Sequence, residues 1–306
     1  MDPEKKQILI AAVIVVVVMA LSIGTLVIMG RSADLVIGSK NFTESRLLAE
    51  IMAQLAERCT GIDVVRRELG STGLCWDALG KGAIHAYPEY SGTLLTDILK
   101  QPPVADPRVA LERVKSHLGI RPDLLLGHPF GLNDTYVLAM RADEAKRLHI
   151  AHISDLAQHA DLIVGFTSEF NQRPDGWPGL AQHYGLHVDR PPVDLSPGHM
   201  YQAVRDGQVA VISAFSTDAR LRQFALIALI DDRHFFPAYE ALPVMRQDVL
   251  TKFPEVAKAW AELAGRIDDA TMTELNQRVD GGGESVAHVA ASFLDHLGLH
   301  APSSLK

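Results

Sequence analysis

From Leu35 onward, short apolar runs suited to buried strands alternate with segments that carry helical spacing, and this alternation restricts the fold more than any other feature. Leu35-Val36-Ile37 reads as a strand. Leu47, Leu48, Ile51, Met52 and Leu55 then recur on one helical face, with Thr43 expected as the N-cap and Glu44 at the positive end of the helix dipole. Further strands are expected over residues 62–69 and 84–87, with helices over 74–79 and 94–99. Such alternation predicts a mainly parallel sheet covered on both faces. After a loop at Gln101-Pro102-Pro103 and a helix over 108–118, a second α/β unit opens with a strand over 136–140 and continues near 162–166 and 209–212. The apolar run 242–245 suggests a return crossing to the first unit, and amphipathic helices over 256–263, 272–279 and 286–297 follow.

The first thirty residues are of another character. No charged residue occurs from Ile8 to Met29, a span of about 22 residues and roughly 33 Å as a helix, long enough to cross a bilayer. Lys5 and Lys6 precede it and favour a cytoplasmic N-terminus. The expectation is an uncleaved transmembrane anchor, with a cleaved signal peptide as the alternative. Either places the rest of the chain outside the cytoplasm. A lipoprotein anchor is excluded, because no cysteine precedes Cys59. The formal charge of −8, with no basic cluster, argues against a nucleic-acid partner.

The two cysteines, Cys59 and Cys75, are expected at opposite ends of a strand of about seven residues, roughly 20 Å apart. A disulfide spans about 7 Å between Cα atoms, so two free thiols are expected. The thirteen histidines are scattered, and Gly185 interrupts His183 and His187, so that pair does not read as a metal site. Neither a Gly-x-Ser-x-Gly elbow nor a Rossmann glycine pattern is present. Gly281-Gly282-Gly283 lacks the lysine of a phosphate-binding loop and reads as a turn.

Two polar stretches stand where a strand ends and a helix begins, the place at which an α/β sheet presents backbone N–H groups to a ligand: residues 39–44 (Ser-Lys-Asn-Phe-Thr-Glu) and 87–93 (Tyr-Pro-Glu-Tyr-Ser-Gly-Thr). Asn133-Asp134-Thr135-Tyr136, Arg173-Pro174-Asp175-Gly176, Phe215-Ser216-Thr217-Asp218 and Phe235-Phe236-Pro237-Ala238-Tyr239 follow. In this order the motifs resemble those of the quaternary-ammonium substrate-binding proteins of ABC importers, the glycine betaine, choline and carnitine receptors. The resemblance runs from about residue 34 to the C-terminus.

The resemblance implies an α/β type II periplasmic-binding-protein fold, two α/β lobes with a ligand cleft between them, preceded here by the N-terminal transmembrane helix. The implied division is 1–33 for the cytoplasmic stub and anchor, 34–132 plus 241–306 for one lobe and 133–240 for the other. It implies an aromatic box for the ammonium head, with Tyr90, Tyr136, Phe215 and Tyr239 as its walls, because a cation without ordinary donors is still held by the negative faces of rings. Thr93 and Arg173 are implied to meet a ligand carboxylate, and Lys40, Asn41 and Asp134 to complete the site.

Two departures from the family pattern stand out: Phe215 where Tyr is usual, and Asp134 where the better-known members have Asn. A carboxylate at 134 favours a cation. Simple glycine betaine is therefore the less favoured ligand against choline, carnitine or a larger betaine such as ergothioneine. The implied function is extracytoplasmic capture of a quaternary-ammonium osmolyte or related betaine (glycine betaine, choline or carnitine) and delivery to an ABC permease, without cofactor or catalysis; a receptor for a larger betaine such as ergothioneine is one alternative. A membrane-tethered ligand sensor is the other.

Overall fold

The computed structural model describes residues 35–104, 106–118 and 121–299. The expected anchor over residues 8–29 lies outside these, and among the described residues no helix is long and apolar enough to cross a membrane.

The strands are β1 (Leu35–Lys40), β2 (Val64–Gly70), β3 (Ala86–Tyr90), β4 (Leu124–Leu126), β5 (Tyr136–Arg141), β6 (Val164–Phe166), β7 (Val193–Asp194), β8 (Val211–Phe215), β9 (Leu226–Ala228) and β10 (Ala241–Arg246). They form two five-stranded sheets, ordered β2-β1-β3-β10-β4 and β7-β6-β8-β5-β9. Each sheet has its own apolar clusters, and we call the two units the first and second lobes. The expectation of mainly parallel sheets is corrected: β10 runs antiparallel to β3 and β4, and β5 antiparallel to β8 and β9. Local hydrophobic spacing reports that a strand is buried; the direction in which the chain re-enters a sheet leaves no mark on it.

The helix Thr43–Thr60 packs on the first sheet and ends at Gly61, whose φ of 69° lets its N–H reach Glu57 O at 2.8 Å. Leu47, Leu48, Ile51, Met52 and Leu55 are all buried, and Trp260 caps their cluster with Nε1 donating to Met52 O at 2.9 Å. Burying a ring of about 200 Å² at about 25 cal/mol per Å² stabilises this lobe by about 5 kcal/mol. Thr43 is not the N-cap. Phe42 occupies that position, and the Thr43 hydroxyl instead donates to Asp280 Oδ1 at 2.6 Å, tying the helix to the C-terminal region.

β3 continues through Pro88 to Tyr90, past the expected end at residue 87. Proline is normally excluded from a central strand because it lacks an N–H. Here Pro88 stands opposite Pro243 of β10, so the two residues without that donor face each other. The extension carries Glu89 and Tyr90 to the edge of the cleft. The following helix, Ser91–Thr93, widens into a π-turn over Leu94–Ile98.

Both cysteines are free. Cys75 is fully buried, with Sγ 3.5 Å from Ser39 O, and burial pushes its thiol up to about 12. Iodoacetamide on the native protein is expected to label the half-buried Cys59 and to reach Cys75 only after denaturation. Equal labelling of the two in native buffer, read by mass spectrometry, would contradict this packing.

Candidate functional site

All nine expected residues, Lys40, Asn41, Tyr90, Thr93, Asp134, Tyr136, Arg173, Phe215 and Tyr239, line one cleft of about 470 Å³ between the two sheets. Phe42, Ser71, Thr167, Ser168, Glu169, Asp194, Ser196 and Met200, none of them assigned from the sequence, line it as well.

The aromatic rings form a continuous row. Phe42 stacks on Tyr90 with centroids 6.3 Å apart and on Phe215 at 5.3 Å. Phe215 meets Tyr136 at 4.9 Å, and Tyr136 meets Tyr239 edge-on at 5.5 Å. Register explains part of this arrangement, since Tyr136 opens β5 directly opposite the end of β8 at Phe215. Gly92 explains another part: a Cβ there would lie 2.7 Å from the Tyr239 ring and from Ala238 O, so only glycine lets Tyr239 settle against the helix start. Phe42 is the wall that sequence reasoning missed. Its place inside the motif 39–44 was the available signal, but its stacking depends on a ring from the other lobe.

At the first lobe's edge, Lys40 Nζ donates to Glu89 Oε1 at 2.6 Å and lies 5.2 Å from the Tyr90 ring centroid. Burial raises the Glu89 carboxyl, and the lysine charge with the Tyr90 N–H (2.9 Å) draws it back. The Lys40 ammonium has no second hydrogen-bond partner among the described residues, and Lys40 lines the cleft.

Arg173 is 3% exposed, and all five of its N–H groups meet protein acceptors. Nε and Nη2 grip Asp175 in a fork at 2.9 and 2.6 Å. Nη2 also reaches Thr93 Oγ1 at 3.3 Å, and Nη1 reaches Glu169 at 3.2 Å and Asp97 at 3.5 Å. Asp175 Oδ2 further accepts from Thr96 Oγ1 at 2.5 Å and Tyr239 OH at 2.7 Å. Burial alone would raise the Asp175 carboxyl; the arginine charge and these hydrogen bonds outweigh it and hold the group below the usual carboxylate range. Thr93, Thr96 and Asp97 belong to the first lobe while Arg173 and Asp175 belong to the second, so this network spans the cleft. A ligand carboxylate reaching Arg173 has to replace one of these partners, of which Asp97, Thr93 and Glu169 are held at the longest distances.

Beneath the ring row lie two more buried carboxyls, Glu44 and Asp134, each 3% exposed. Glu44 Oε1 accepts from Tyr90 OH at 2.8 Å, and Oε2 from Thr217 Oγ1 at 2.6 Å and Asn276 Nδ2 at 3.3 Å. Asp134 Oδ1 accepts from Thr217 N at 3.0 Å and Ser216 Oγ at 3.2 Å. Burial pushes both groups up, and for Asp134 the charge of Glu44 adds to it. No cation touches either one among the described residues.

Residues 33–296 match the family model described as the substrate binding domain of ABC-type glycine betaine transport system. A glycine-betaine-binding protein of Pseudomonas aeruginosa is 36% identical over 278 residues, covering 87% of this chain and 88% of that protein. The ergothioneine transport permease/ergothioneine binding protein EgtU of Helicobacter pylori is 32% identical over 273 residues, 87% of this chain and 48% of that one. The crystal structure of a glycine betaine/carnitine/choline ABC transporter superposes with a TM-score of 0.70 at 30% identity, over 87% of this chain and 99% of that one.

Proposed function

The chain belongs to the substrate-binding domains of ABC-type glycine betaine transport systems, and from that premise we propose that it binds a quaternary-ammonium compound in the cleft described above. The observation that carries this reading is the row Tyr90–Phe42–Phe215–Tyr136–Tyr239 with Asp134 beside it: ring faces and a carboxyl, the two things that hold a cation lacking hydrogen-bond donors. The ammonium head lies against the rings. The anionic end of a betaine meets the spare protons of Lys40, the Thr93 hydroxyl and Asn41, while Arg173 joins the lobes around it.

Residues 34–132 with 241–306 act as one lobe and 133–240 as the other, closing over the ligand outside the cytoplasm and presenting it to an inner-membrane permease. The charge-free run 8–29 supports tethering to that membrane. A second reading, a receptor for a larger betaine such as ergothioneine, is favoured by the extension of the cleft past the rings to Ser71, Thr167, Ser168 and Ser196, hydroxyls placed to bind a polar arm.

Calorimetry with choline, glycine betaine, proline betaine, carnitine and ergothioneine tests the assignment; absence of binding to all five at millimolar concentration would sink it. In the same assay Phe42→Ala is expected to weaken the best ligand by about 1 to 3 kcal/mol, through lost cation–π attraction and lost ring stacking. Unchanged affinity in that variant would remove Phe42 from the site.

A further inference from the structure

Glu44 and Asp134 sit on either side of Thr217, which donates its hydroxyl to one and its backbone N–H to the other. The charged and titratable groups facing them are few. Tyr90, from β3, donates to Glu44; Tyr201, which donates to Asp218, and Tyr136, from β5, stand close enough to feel the Asp134 charge. Asp218 follows Thr217, and Arg220 is gripped by Asp218 at 2.5 Å and lies 3.7 Å from Asp280. Four carboxyls, those of Glu44, Asp134, Asp218 and Asp280, share a small void of about 20 Å³ with Arg220, Thr217 and Asn276. The Lys40 ammonium, 5.2 Å from the Tyr90 ring centroid, is committed to Glu89. One cation therefore stands against two carboxylates before the Glu44–Asp134 pair is counted. Two ionised carboxyls in such a place cannot both persist without a further positive charge, and two coupled carboxyls commonly hold one proton between them.

We propose that Glu44 and Asp134 are a proton-exchanging counter-charge for the ligand: the unliganded pair holds one proton, and a quaternary ammonium seated on the rings above Asp134 displaces it. The O–H bond of one carboxylic acid breaks, the proton leaves through water to buffer base, and the fixed charge of the ammonium takes its place, so the net charge of the site is unchanged. Cations are thereby taken with a proton cost that falls as pH rises. Tyr90 extends the coupling into the ring row, because its hydroxyl donates more strongly to an ionised Glu44. This inference rests on the reading of the cleft as a quaternary-ammonium site.

The test is calorimetric titration of the full-length chain with choline, and with glycine betaine, in phosphate and in Tris, buffers of different ionisation enthalpy. The expected result is an observed enthalpy that changes with the buffer by a release approaching one proton per ligand. Affinity is expected to tighten by up to tenfold per pH unit from the ordinary carboxylate range upward for as long as the pair holds its proton, and to level off once both groups are ionised. Asp134→Asn and Glu44→Gln are each expected to abolish the buffer dependence and flatten the pH profile; the first changes a residue at the cleft wall and stands in if the second does not fold. Binding heat with no buffer dependence in the parent overturns the proton exchange and leaves the ligand assignment standing. No binding heat for either ligand overturns the proton exchange, and the five-ligand panel above then decides the reading on which it rests.

Discussion

Arg173→Ala is expected to reduce binding of glycine betaine and of choline alike by about a hundredfold or more. The reason is the company the arginine keeps. Its removal leaves Asp175, fully buried, with a negative charge answered only by the hydroxyls of Thr96 and Tyr239, and it deletes the contacts to Thr93 and Asp97 across the cleft. Breaking one partner out of a buried ion pair costs about 3 to 5 kcal/mol, and each 1.4 kcal/mol is tenfold in affinity. The resemblance alone pointed to a loss confined to carboxylated ligands. The double variant Arg173→Ala with Asp175→Asn, which removes the stranded charge, is expected to recover part of the loss. Calorimetry with both ligands decides the matter: choline binding at parental strength in the single variant would make the arginine a carboxylate clamp and not a tie between lobes.

Tyr136→Ala is expected to weaken every quaternary-ammonium ligand by about a hundredfold, close to 2.7 kcal/mol. Its ring joins the row to the core of the second lobe, 4.9 Å from Phe215 and 5.5 Å from Tyr239 in the row and 5.0 Å from Phe170 and 6.1 Å from Phe236 in the core, so truncation removes one cation-binding face and loosens its neighbours. Tyr136→Phe is expected to bind within a few-fold of the parent, because the hydroxyl makes no hydrogen bond among the described residues. Comparable affinity in the alanine and phenylalanine variants would show that the ring face does not hold the ligand.

Much of this was legible in the chain. The strand–helix alternation from Leu35 gave the α/β class, and the six motifs brought every nominated side chain to the same cleft. What escaped did so for physical reasons. Glu44 looks like an ordinary acidic residue in a first helical turn, and only the approach of Tyr90, Thr217 and Asn276, from three distant parts of the chain, makes it a buried hydrogen-bond hub. Asp175 stands in the sequence only as part of the motif 173–176, yet it anchors a network reaching two lobes. Ser71, whose hydroxyl caps the helix Thr72–Gly80 by accepting from Leu74 N, hid because a single serine between strand and helix is commonplace.

The segments that connect the lobes are also walls of the cleft. Tyr239 N donates to Asn133 Oδ1 at 2.7 Å, Asp134 N donates to Tyr239 O at 3.2 Å, and Asn133 bridges to Glu240, so the two crossings between the sheets are bonded to each other through Asp134 and Tyr239, which line the cleft. For a lineage under selection to accept a new nutrient, this removes a degree of freedom. A replacement at either position that changes which molecule is preferred also disturbs the bonds between the two crossings. Diversification of preference is therefore cheapest at Phe42, Phe215 or the hydroxyl-lined far end of the cleft, where chemistry can drift while the bonds between the crossings stay intact.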